Sequence, residues 1–261
     1  MIVCADDFGW SDDVNRAIVE LVAARRVSAV SCMAVLPHCA PENLKPLLKH
    51  ADQIDVGLHF TVTARFLEGA RFERSGPVRP ANFFSALSSC VLRKITPAQT
   101  REEIAAQYQL FTERTGRLPD FIDGHLHVQQ LPVLADAMIQ FAEKIPAGNR
   151  PYVRNSYIPV AKILAQGVAF WKSVSISTSG RQFRRRLAAA GLATNDGFGG
   201  VYDYRHWRKY HEFLRRFTMH MESPTGILMV HPGFAESWRR AELEALRQAT
   251  FVTDVARRFG Q

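Results

Sequence analysis

The chain has 261 residues, 47% of them hydrophobic and 22% charged, with a formal net charge of +8. That is the balance of a soluble globular protein with a sizeable core, long for one ordinary domain but normal for an α/β barrel. No run approaches the roughly 18 apolar residues that a membrane span needs, and the N-terminus enters a strand-like run without a basic leader, so the expected location is the cytoplasm. The four cysteines, Cys4, Cys32, Cys39 and Cys90, form no CxxC pair. Cys4 and Cys32 lie inside apolar runs and read as buried small residues, with no disulfide suggested.

Residues 1–5 begin the chain as a strand that runs into two adjacent acids, Asp6 and Asp7. The spacing predicts a helix over 11–26, with Ser11 as N-cap and Ile18, Leu21 and Val22 at helical intervals. Strands are predicted over 27–36 and 54–62, then an irregular excursion over 64–95 rich in Gly, Pro and aromatics. A helix over 96–116 is capped by Thr96, carries Pro97 in its first turn and stops at Gly116. A strand over 119–128, a helix over 132–145, a strand over 151–155, a helix over 158–172 and a strand over 173–177 follow. A basic helix over 180–191, an irregular Gly-rich stretch over 193–203, a helix over 203–221, a strand over 226–233 and a helix over 239–259 complete the reading. Arg181, Arg184, Arg185 and Arg186 make the densest basic stretch; their helical spacing reads as a solvated helix face, and no nucleic-acid motif accompanies them.

Apolar strands alternating with helices argue for a parallel sheet covered by helices, and about seven or eight repeats in this length favour a closed or nearly closed (β/α) barrel. No linker or composition shift divides residues 1–261, which are expected to form one domain. An open Rossmann-like sheet is the alternative, but no GxGxxG follows the first strand. In such folds the C-terminal edge of the strands carries the site. Asp6 and Asp7 end the first strand, His59 ends the third, Asp123, His125 and His127 end the next, Arg154 ends "YVRN" and His231 ends "ILMVHPG". His125 and His127, two apart on a strand, are expected to face the same side. Two imidazoles with one or two carboxylates are a normal ligand set for a divalent cation with open positions. Such a cation makes adjacent acids tolerable: one ligates it, and the other takes a proton from a bound water.

"ADDFG", "GLHFTVT", "DGHLHV" and "HPG", in that order over residues 5–233, resemble the motifs of the YdjC-like carbohydrate deacetylases, which include chitooligosaccharide deacetylases. The resemblance implies a distorted TIM-like (β/α) barrel, of α/β class, that removes an acetyl group from an N-acetylated sugar with one divalent ion, Mg2+ or Zn2+. Residue by residue it implies Asp7, His59 and His125 as metal ligands, Asp6 as general base and His231 as general acid. Arg154 is then expected to orient Asp6 or contact substrate. His127 and Asp123 are candidates for substrate contact or support of the site, and Trp10, Phe60, Phe198 and Tyr202 for stacking on sugar faces. The family's third motif commonly reads Asp-Ser-His-x-His-x-His; Gly124 and Gln129 depart from it, which is expected to alter the sugar pocket or the surroundings of the metal. A metal-dependent phosphoesterase and a non-catalytic sugar-binding barrel are the competing readings. No specific nucleic-acid partner is expected, and the oligomeric state, a dimer included, is not legible.

Overall fold

The computed structural model describes residues 1–69, 78–221 and 223–250. In chain order the first half comprises β1 (Ile2–Phe8), α1 (Asp12–Ala23), β2 (Ala29–Cys32), α2 (Pro41–Leu48), β3 (Asp55–Phe60), α3 (Ala64–Leu67), α4 (Phe83–Val91), α5 (Pro97–Thr115) and β4 (Phe121–Gly124). Then come α6 (Pro132–Glu143), β5 (Tyr152–Val153), α7 (Val160–Gln166), α8 (Phe170–Ala189), β6 (Phe198–Gly199), α9 (Tyr210–Met219), β7 (Ile227–Val230) and α10 (Ser237–Gln248). The seven strands form one parallel sheet in the order β5-β4-β3-β2-β1-β7-β6.

The sheet curls until its two edges meet, but no ladder joins them among the described residues. One backbone bond crosses, from Val153 N–H to the Ala193 carbonyl at 2.9 Å. Side chains do the rest: Asn155 N–H donates to Asn195 Oδ1 at 2.8 Å, Asn195 Nδ2 donates to the Asn155 carbonyl at 3.0 Å, and Thr194 Oγ1 donates to the Val153 carbonyl at 2.6 Å. The edge strands are two residues each, too short to ladder, so the expectation of a closed TIM-like barrel becomes a curled seven-stranded sheet with a side-chain seam.

Strand parity divides the core. Ile2, Cys4, Ala29, Phe121, Tyr152, Phe198, Ile227 and Met229 pack together on the concave side. Val3, Ala5, Val30, Leu58, Phe60, Ile122, Val153, Leu228 and Val230 pack outward with the helices. Because the inward set advances by two residues, its next members at the C-terminal edge are Asp6, Ser31, His59, Asp123, Arg154 and His231. Phe60 falls on the other parity, is fully buried in the sheet–helix core, and does not reach the concave side, so the expectation that it stacks on sugar is corrected.

Asp7 breaks the parity. Its φ is 69°, in the left-handed region, and the register with β2 shifts between Ala5 and Phe8. This bulge turns Asp7 inward beside Asp6, which is how two consecutive acids reach one cleft. A non-glycine held at such a φ costs on the order of 1 kcal/mol and persists only where its surroundings over-determine it.

Several helical expectations need revision. Residues 173–177, read as a strand from alternating Val and Ile, lie inside α8, where Ser173, Ser177, Gly180, Phe183 and Leu187 form the buried face. Small residues make that face fit: a Cβ on Gly180 would come within 2.7 Å of the Ser156 and Tyr157 backbone. The helix expected over 158–172 breaks at Gly167, which has φ 59°. The expected 203–221 helix begins as a 3₁₀ turn, Tyr204–Lys209. The strand expected over 27–36 is confined to Ala29–Cys32, and the one over 119–128 ends at Gly124. The short helix Pro41–Leu48 was not anticipated, although Pro at its first position and buried Leu44 and Leu47 are its signals. By contrast α5 has its expected cap at Thr96 and stop at Gly116, the cap being a capping box with Gln99 and the stop a left-handed Gly116. The excursion holds α3 and α4, with residues 70–77 outside the described residues, as are 251–259 of the expected C-terminal helix. No helix among the described residues is long and apolar enough to cross a membrane.

The arginine-rich stretch lies on α8, where Arg184 bonds Asp196 at 3.0 Å and Arg186 pairs with Asp136. Acidic neighbours thus occupy two of the four cations, in keeping with a solvated helix face.

Candidate active site

The concave side opens at the C-terminal strand edge into a cleft of about 550 Å³, lined by Asp6, His59 and His231 of the inward set and by Asp7 and His125. Arg154, fully buried, donates from Nη1 and Nη2 to the two oxygens of Asp6, each at 2.7 Å. Arg154 Nη1 also lies 3.0 Å from Asp123 Oδ2. Asp123 Oδ1 sits 2.6 Å from His59 Nδ1 and accepts a bond from Ser31 Oγ at 2.5 Å. Burial by itself would raise the Asp6 carboxyl; the Arg154 guanidinium outweighs it and holds Asp6 well below the usual carboxylate range, so it is ionised. His59 shows the same competition: burial disfavours its charge, but Asp123 and Asp6 push its pKa up to about 10.

Asp7 faces two histidines with one oxygen and an arginine with the other. Its Oδ1 is 3.1 Å from His125 Nδ1 and 3.5 Å from His59 Nε2. Its Oδ2 accepts from Arg239 Nη2 at 2.7 Å. Burial opposes its charge, while His125, His59 and Arg239 hold it well below the ordinary value. Donor atoms of Asp7, His59 and His125 all lie within 4.8 Å of one another. Asp123 engages His59 Nδ1 and leaves Nε2 toward Asp7, the arrangement that orients a ligating histidine. One carboxylate oxygen and two imidazole nitrogens, with further positions facing the cleft, fit a divalent cation. Cys4, Asp6 and Asp123 also cluster within 4.8 Å, but the Arg154 guanidinium lies against all three and already supplies their positive charge.

His127 departs from expectation. After Gly124 the chain leaves the strand for a 3₁₀ turn, and Leu126 and His127 both have left-handed φ, 56° and 60°. The period-two rule therefore stops at His125, and His127 joins neither Asp7 nor His59. Its Nδ1 instead meets Ser156 Oγ at 3.0 Å, and its ring stands edge-on to Phe198. Burial and then Arg154 push its pKa down to about 3, so it is neutral at pH 7.

The departures at Gly124 and Gln129 are neighbours in space. A Cβ on Gly124 would lie 2.7 Å from Gln129 Oε1. Gln129, fully buried, donates from Nε2 to the Arg154 carbonyl at 3.1 Å. The absent side chain at 124 thus makes room for a glutamine that supports the arginine under Asp6. Gln129 therefore acts on the surroundings of Asp6 and not on the donor set itself.

His231 lines the cleft beside Tyr204 and Trp238. Burial pushes its pKa down to about 4, so it is neutral at pH 7 in the free protein, contrary to the imidazolium expected from its ordinary value. Behind it lies Glu242, 1% exposed, with burial pushing its pKa up to about 7. Trp10, 38% exposed, lies 5.8 Å from the His125 ring and walls the cleft with Phe84, Leu126, Tyr204 and Trp238. Tyr202 is buried with its hydroxyl on Glu242, and Phe198 packs under His127 and Arg154, so both support the floor more than they offer a stacking face. The sequence reading missed Arg239, Glu242, Trp238 and Lys172. Arg239 and Glu242 share a face of α10 at i,i+3 spacing, the one signal available beforehand.

The YdjC-like protein family matches residues 1–257. A carbohydrate deacetylase of Mus musculus is 29% identical over 254 residues, covering 90% of this chain and 78% of the relative. A chitooligosaccharide deacetylase of Proteus mirabilis (strain HI4320) is 26% identical over 276 residues, covering 99% and 94%. A crystal structure from Enterococcus faecalis V583, described as a cellobiose-phosphate cleavage protein, superposes with a TM-score of 0.63 at 19% identity over 94% of this chain and 89% of that one, a likeness of fold. A match across nearly the whole length places the chain in the YdjC-like protein family.

Proposed function

We propose that this protein is a metal-dependent carbohydrate N-deacetylase that hydrolyses the acetamido group of an N-acetylated sugar. The observation that carries the reading is the convergence in one cleft of the Asp7–His59–His125 donor set, an ionised Asp6 and His231. Relatives named carbohydrate and chitooligosaccharide deacetylases support the choice of bond.

Asp7, His59 and His125 would hold the cation. Bound there, Zn2+ or Mg2+ supplies polarisation of the acetamide carbonyl and acidification of the attacking water. Asp6 accepts the water proton on a lone pair that Arg154 leaves open. Its pairing with Arg154 makes it a weak base, suited to a water already acidified. As the tetrahedral intermediate collapses, the C–N bond breaks and the amine must be protonated to leave. His231 is assigned that proton transfer, since His127 is tied to Ser156 and faces the Arg154 charge. Trp10, Tyr204 and Trp238 offer apolar faces for the pyranose ring. A two-metal phosphoesterase is disfavoured, because the carboxylates beside the first donor set are engaged by Arg154.

The test is acetate release from a panel of N-acetylated sugars, before and after chelation and with metal restored, beside Asp6→Asn. Release that chelation abolishes, metal restores and Asp6→Asn loses is expected. Sugar binding without release under all conditions would leave the non-catalytic barrel standing instead.

A further inference from the structure

Behind His231 lies a buried carboxyl with no strong cation partner. Glu242 Oε2 accepts the His231 backbone N–H at 2.5 Å, and Oε1 accepts the Tyr202 hydroxyl at 2.8 Å. The same Oε1 stands 3.9 Å from His231 Nδ1, so the edge of the ring carrying Nδ1 looks onto the carboxyl at a separation longer than a hydrogen bond. No arginine or lysine bonds Glu242 among the described residues. A carboxylate placed only to stabilise the fold would be expected to be paired or left in water; this one is sealed against the back of a cleft histidine.

We propose that Glu242 and His231 act as a two-residue acid, in which Glu242 supplies the proton that His231 passes to the leaving nitrogen. The inference rests on the assignment of His231 as the acid. In the step, the His231 ring closes onto Glu242 to hydrogen-bond distance, the Glu242 carboxyl proton moves to His231 Nδ1, and the proton on His231 Nε2 moves to the amine nitrogen. The imidazole is neutral before and after, Glu242 ends as a carboxylate, and the C–N electron pair leaves with the protonated amine. A neutral buried histidine is thereby able to serve as an acid at neutral pH, which an isolated one at this site is poorly placed to do. The groups facing Glu242 are His231, Tyr202, Tyr204, Tyr210 of α9, Arg239 of its own helix, Lys172 of α8 and, more distantly, Asp7. The three tyrosines stay neutral across the working range, raised by their own burial, so the titration that matters is that of the His231–Glu242 pair.

The experiment has two arms on the full chain. In the first, ¹⁵N-histidine spectra of the wild-type protein are followed from pH 5 to 9. The His231 tautomer is expected to change from Nε2–H to Nδ1–H as Glu242 ionises, and Glu242→Gln is expected to abolish the change. In the second, Glu242→Gln lowers kcat for acetate release about 10- to 100-fold with little change in KM. It also moves the alkaline fall of the kcat profile to lower pH by at least one unit, and Glu242→Asp restores part of both. A His231 tautomer that does not respond to pH in the wild type, or a Glu242→Gln profile that overlays the wild type, overturns the inference. The tautomer arm needs neither activity nor a variant that folds. Absence of acetate release from the wild type counts against the deacetylase reading alone, while a tautomer change seen in that same protein sustains the coupling of Glu242 to His231.

Discussion

His59 and His231 occupy equivalent places: both lie at the inward parity of a strand end, both are buried, and both line one cleft. Their charge states are opposite, with His59 pushed up to about 10 and His231 down to about 4. Desolvation acts on both in the same direction, against the imidazolium. His59 has a carboxylate at 2.6 Å and two more acids nearby, whereas the nearest carboxylate to the His231 ring nitrogen is 3.9 Å away and is itself raised toward neutrality. Burial decides nothing alone; the partner within hydrogen-bond reach does. The acids that would charge His59 would equally favour a divalent cation at its Nε2, where a bound metal would take the place of the proton.

The contrast is broken most severely at its acidic side. Replacing Arg154 by Met leaves Asp6 and Asp123 buried without their cation, and is expected to cost about 3–5 kcal/mol in urea denaturation. A loss near zero would mean that the acids find other partners or protonate readily. Next, Asp123→Asn removes the charge that orients His59, and metal affinity read by titration calorimetry should fall about 10- to 100-fold. A smaller steric effect is expected at Gly124→Ala, about 1–3 kcal/mol, because its Cβ meets Gln129 Oε1. Gly124 has an extended φ of −153°, so no backbone strain contributes, and adding Gln129→Ser should recover part of the loss in a double-mutant cycle.

The smallest effect is a near-cancellation with pH. Glu242, raised from 4.5 to about 7, contributes stability below pH 4.5 that is lost as pH rises toward 7. His231, lowered from 6.5 to about 4, contributes stability above pH 6.5 that is lost as pH falls toward 4. The two slopes oppose each other between pH 4.5 and 6.5, so their joint contribution is nearly flat there. Glu242→Gln removes the falling slope, and its stability should rise with pH across that window by up to about 1.4 kcal/mol per unit relative to wild type. A parallel pair of curves would show that Glu242 is already ionised in the fold.

What could be seen in advance follows the sheet. Asp6, His59, Asp123, Arg154 and His231 share one parity at the ends of parallel strands, and a two-residue period survives translation from sequence to structure. It fails where backbone conformation changes hand. Nothing in the composition around Asp7 announces the bulge that turns it inward, and Leu126 and His127, held in left-handed φ, carry His127 away from the face on which alternation puts it. Residues 173–177 alternate like a strand because Val174 and Ile176 happen to sit between serines whose smallness serves helix packing instead. Arg239 and Glu242 were invisible for another reason. Helical spacing shows that they share a face, but only tertiary docking decides that this face packs against the cleft residues Asp7 and His231.

That shared face has a mechanical consequence. One rigid rod, α10, carries the guanidinium that grips Asp7 and, three residues on, the carboxyl that backs His231. The interval between those two anchor points is fixed by the covalent repeat of the helix, about 4.5 Å along its axis for three residues. If the rod shifts, both anchors travel together, so thermal drift moves the two sides of the cleft in common and leaves their spacing nearly untouched. The helix serves the site as a gauge block does a machinist, setting a distance by its own length and not by the tightness of the parts around it.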